Sequence, residues 1–146
     1  MRIRAALALA LLMIGLGLLL TRCPANRDGM PGQLAQAMEE TTGAARSGAL
    51  ALDLWDQRRS SVALTSVTLS DARDEVVKAY QGIADLKADD PVDIERQRAL
   101  TDSMTTIVGQ LNAAAATVRE VTPEPDPRRA REGLIASADA LESRYR

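Results

Sequence analysis

The densest group of side chains able to do chemistry in this sequence is Asp89, Asp90, Asp93 and Glu95. Carboxylates set this close together can hold a divalent cation or share proton-transfer work. The spacing suits neither use: a calcium loop alternates its oxygen ligands about a glycine, and this stretch has none. It does suit the opening of a helix. Asp90 stands directly before Pro91, and Asp93 follows within one turn. An acid at the N-cap, proline at the first helical position and an acid in the first turn each favour a helix start. Glu39 and Glu40 are adjacent, so on a helix they point about 100° apart and do not converge. A carboxylate-dependent hydrolase built on Asp93 and Glu95 is therefore the last of the functional readings.

The chain has no histidine, which removes Ser-His and Cys-His nucleophilic pairs and the commonest metal ligand. Its one cysteine, Cys23, precedes the helical domain, so no intrachain disulfide can form and no thiol chemistry or cysteine metal site belongs to that domain. Glycine-rich phosphate loops, Ser-x-x-Lys and calcium-loop patterns are absent. No catalytic, cofactor-binding or metal-binding residue is assigned, and no cofactor is expected.

Two features remain as candidate interaction residues. Arg128, Arg129 and Arg131 place positive charge in the first turn of a helix, where the dipole disfavours it. They suit lipid headgroups or an acidic partner, or else form a solvated cluster balanced by Glu124, Asp126 and Glu132, the preferred reading. Trp55, the only tryptophan, could stack on a ligand or lie at an interface, but is expected to anchor the core.

The elements that would position these residues begin after a hydrophobic terminus. Residues 5–20 are an uncharged run of Ala, Leu, Met, Ile and Gly between Arg4 and Arg22, preceded by a basic start. This is the layout of a secretory signal or signal anchor. With Thr21 the run spans roughly 25 Å as a helix, against about 30 Å of hydrocarbon. Residues 1–23 are thus expected to be a signal anchor crossing the membrane through residues 5–21, or a signal peptide. In the second case processing falls after Ala25, with Cys23 and Ala25 as the small residues of the site. Lipid attachment at Cys23 is disfavoured by Arg22, which departs from the small residues such a site needs. Either surviving fate puts the C-terminal domain outside the cytoplasm, at the cell membrane or, after cleavage, secreted or periplasmic.

Residues 24–32 collect Pro, Gly, Asn and Asp and read as a linker, followed by a domain over 33–146. Proline is then absent from Gly32 to Asp90 and from Val92 to Thr122, in sequence rich in Ala, Leu, Gln, Glu and Arg. Leu100, Met104, Ile107, Leu111, Ala114, Val118 and Val121 repeat at alternating intervals of four and three, a heptad seam. Val62, Leu69, Val76 and Ile83 form a second seam at strict intervals of seven, with Thr65, Ala72, Ala79 and Leu86 between them. The short stretch from Lys87 to Asp90 makes the two an antiparallel hairpin over about 61–121. Upstream, Leu34, Ala37, Met38, Ala45, Ala49, Leu52 and Trp55 suggest a helix, either continuous with the second or broken near residues 60–70 by a Ser or Thr cap. A last helix runs over 127–145 from Asp126 as N-cap, with Ala130, Leu134, Ala138, Leu141 and Tyr145 on one face. The expected fold is all-α: the N-terminal hydrophobic helix, then a slender antiparallel bundle of three to four helices, coiled-coil-like in its seams.

Beyond residue 25 fifteen basic residues face twenty acidic ones, a balance that argues against nucleic acid as a partner. The sequence points to a non-enzymatic cell-envelope protein, membrane-anchored or exported, acting as a structural or protein-interaction module on another envelope protein. Self-association through the heptads is a lesser expectation, since the short loop favours pairing within one chain. The alternative is a sensory bundle enclosing a small apolar ligand or lipid, which an Ala-rich core leaves little room for.

Overall fold

The computed structural model describes residues 29–145, an all-α four-helix bundle. The N-terminal targeting segment, Cys23 and Ala25 lie outside the described residues. Helix α1 is Met30–Asp56, α2 is Val62–Ala84, α3 is Pro91–Val118 and α4 is Pro127–Tyr145. None of the four is long and apolar enough to cross a membrane.

Local chemistry sets the boundaries. Helix α1 takes in Met30–Gly32, which the sequence had suggested as linker, because Pro31 in the first turn forfeits an N–H that has no partner there anyway. The chain breaks after Asp56: Arg58 adopts φ 57°, and the Ser61 hydroxyl accepts a hydrogen bond from the Leu64 N–H to open α2. Of the two expectations for residues 60–70, the serine-capped break is the one observed. Asp90 caps α3 by accepting from the Val92 N–H at 2.8 Å, and Asp126 accepts from the Arg128 N–H at 2.8 Å to open α4.

The C-terminus of α3 departs from the heptad reading. The helix stops at Val118, Glu120 turns left-handed at φ 58°, and the Glu120 and Val121 N–H groups bond back to Thr117 and Ala116. Val121 therefore leaves the seam and is 73 % exposed. Val62 leaves the second seam likewise, 44 % exposed as the first residue of its helix, where no neighbouring turn covers it.

The remaining seam positions converge. Leu100, Met104, Ile107, Leu111, Ala114 and Val118 meet Leu69, Ala72, Val76, Ala79 and Ile83 in one core with Leu34, Leu52, Leu134 and Leu141. Helix α1 packs on all three others, while the backbones of α2 and α4 stay apart, so the order round the bundle is α1, α2, α3, α4 with α1 and α3 close across the diagonal. That central place explains the composition of α1. It buries Thr41, Thr42, Ala44, Ala45, Gly48, Ala49 and Ala51, small residues that let three helices approach. The buried Thr41 hydroxyl is satisfied by the Ala37 carbonyl at 2.7 Å.

One end of the bundle, the base, carries the start of α1 and the turn at 85–90. The other end, at residues 57–61 and 119–126, is the tip.

Candidate interaction surface

The carboxylates at the start of α3 serve the helix. Asp90 is a cap, and Asp93 is buried in the first turn with Arg96 at 3.6 Å. Arg96 in turn lies over the Tyr145 ring, 5.5 Å from its centroid, and the Tyr145 hydroxyl donates to the Pro31 carbonyl at 3.2 Å. Burial raises the Tyr145 phenol above its ordinary value, while the Arg96 charge opposes that rise. The group ties α1, α3 and α4 together at the base. Among the described residues no three His, Cys, Asp or Glu are placed to hold a metal ion.

The structure brings the arginine cluster and Trp55 to the same end of the molecule, which nothing in their sequence positions suggested. Arg128 reaches Asp56 at 3.0 Å and Arg131 reaches Asp53 at 3.4 Å, both on α1. The hydrogen bond that Arg128 donates to the Asp56 carboxylate raises its guanidinium above the ordinary value. Only Arg129 pairs locally as expected, with Asp126 at 3.8 Å. The balancing acids are thus chiefly those of the last turns of α1, which α4 crosses. Farther along the same seam Arg46 bonds Asp139 and Glu142 at 3.1 and 2.7 Å, and these contacts, Glu142 first, raise it too. Trp55 is half-buried against the core. Its exposed edge borders a shallow recess with Asp56, Arg58 and Pro127.

A second surface was not singled out by sequence reasoning. Leu50 on α1 is 59 % exposed, and Leu64 and Val67 on α2 are 60 % and 56 % exposed. Leu50 and the half-buried Leu54 lie one turn apart, as do Leu64 and Val67. Leu54 and Leu64 each stand five residues from Arg59 in the connecting turn, so Leu54 sits level with Leu64 and Val67 on the outer face of the α1–α2 hairpin, while Leu50 borders a recess with Arg131 and Ile135 of α4. Toward the base this face continues as a recess of about 320 Å³ between the helices, with Ala37, Ala79 and Gly82 among its lining and Gln36, Glu40 and Lys78 at its edges. Nothing lies within 4 Å of where a Cβ on Gly43 or Gly82 would stand. The signal for it was present: Leu64 and Val67 are aliphatics that fall off the seven-residue seam of α2.

No known protein family, curated protein or solved structure matches this chain.

Proposed function

We propose that this protein is a non-enzymatic helical module of the cell envelope, held at the membrane through residues 5–21 or exported after cleavage near Ala25, whose bundle engages another envelope protein. The observation that carries this reading is the outer α1–α2 face, where Leu64 and Val67 stay more than half exposed beside the half-buried Leu54 although the bundle has a core of its own to put aliphatics in. Contiguous exposed apolar residues on a small domain mark a surface that binds something. The arginines of α4 contribute less, because Arg128 and Arg131 are already paired with α1.

The test has two parts. Intact mass of the protein from membrane and soluble fractions of its host should give a full-length membrane species or a soluble species beginning at Asn26. A species lipidated at Cys23 would overturn the reading of the terminus. Crosslinking in the intact envelope should then trap the bundle on a second protein, whereas a chemically transformed substrate would refute a non-enzymatic role.

A further inference from the structure

The α1–α2 face has a pattern of charge as well as an apolar end, and the two together define what would fit it. Gln36 and Leu54 are 18 residues apart on α1, and Leu64 and Gly82 are 18 apart on α2, in each case five turns of helix and hence the same side. The recess near the base and the aliphatic group near the tip are therefore two ends of one groove. Between them the α2 side of the groove carries Asp71 and Glu75, an i,i+4 pair on its exposed surface. Glu40 stands on the α1 side, where it accepts from Gln36 at 2.8 Å. Lys78 is the basic residue lining the recess, and Arg58 and Arg59 stand beyond the groove in the turn at the tip. Gly43 and Gly82, with open space where side chains would stand, leave room for another backbone to approach.

We propose, on the reading of the bundle as an interaction module, that this groove receives one amphipathic helix of the partner protein, its aliphatic residues against Leu54, Leu64 and Val67 and its basic residues along Glu40, Asp71 and Glu75. A helix laid into a groove is held by apolar anchors at i, i+3 and i+4 spacing, with charges on the rim setting register and orientation. The acidic rim selects a basic partner helix. It also argues against a second copy of this chain, whose same face would bring Asp71 and Glu75 opposite like charges.

The experiment uses the full chain in its host, with a photo-crosslinking residue at Val67 and, as a control, at exposed Thr106 on α3. The peptide trapped is identified by mass spectrometry. The expected result is a segment of another protein with helical apolar periodicity and an excess of Lys and Arg, trapped from Val67. Its yield should fall at least fivefold in the D71K/E75K chain with helicity unchanged. An acidic segment, a lipid adduct, a second copy of this chain, or a yield indifferent to D71K/E75K would overturn the proposal. A partner trapped only from Thr106 would overturn it while leaving the interaction-module reading intact, and trapping from neither position would count against both.

Discussion

Gly48 of α1 lies so close to α3 that a Cβ built on it would stand 2.6 Å from Leu111 Cδ2, with Leu134 and Leu69 side chains at 3.5 Å. All four helices thus meet at one hydrogen atom.

G48A should lower stability. Alanine gains about 1 kcal/mol of helix propensity over glycine. The methyl must displace Leu111, itself only 1 % exposed, and overpacking a closed core costs typically 1–3 kcal/mol. A net loss of roughly 1 kcal/mol is expected. G43A, G82A and G109A meet nothing within 4 Å and should each stabilise by about 0.5–1 kcal/mol. Urea midpoints of the four variants decide the matter: a stabilised G48A would mean the helices can part freely.

Leu69 and Val67 are neighbours in sequence with opposite surroundings. Leu69 is 1 % exposed in the core, and L69A should cost about 2–5 kcal/mol. V67A at a 56 % exposed position should stay within about 0.5 kcal/mol of the parent. The same denaturation curves check both, and a large loss in V67A would show that the face serves stability.

The ion pairs joining α4 to α1 are exposed and should be weak. R131A removes the 3.4 Å pair with Asp53 and should cost roughly 0.5 kcal/mol, an effect that fades in 1 M salt. The D53R/R131D double reversal should recover most of that loss. Thermal unfolding at low and high salt tests it, and a salt-independent loss would point to packing of the arginine stem instead.

Tyr145 supplies a pH dependence. Burial raises its phenol pKa in the folded chain, so the folded state holds the proton more tightly than the unfolded one. Its contribution is complete below the ordinary tyrosine value near 10 and is lost as pH rises through the folded value. Y145F, which also loses the hydrogen bond to Pro31 worth about 0.5–1.5 kcal/mol, should be less stable than the parent near pH 8. The gap should narrow above pH 10. Urea denaturation of the two chains from pH 8 to 11 would show a constant gap if Tyr145 were not coupled to folding.

Most of the architecture was legible in the sequence because its causes are local. The caps at Asp90 and Asp126, the proline at the head of α3 and the seven-residue spacing through Leu69, Val76 and Ile83 each act within a few turns of helix. The failures came where a helix runs out: Val62 and Val121 keep the spacing but lose the neighbour that would cover them. The partners of Arg128 and Arg131 were missed for a different reason. Those acids, Asp56 and Asp53, lie more than 70 residues away, and only the crossing of two helices brings opposite charges together.

The sequence by itself determined that the chain after the linker is helical, where α3 and α4 start and which stripe of each helix is apolar, since propensity, capping and periodicity are properties of neighbouring residues. Only the tertiary structure decided that α1 is the central helix, that Gly48 must stay bare, and that Leu64 and Val67 stay uncovered beside Leu54. Those depend on which stripe meets which, and packing of one helix on another is settled by shape across the core, with no trace in the spacing along either chain segment.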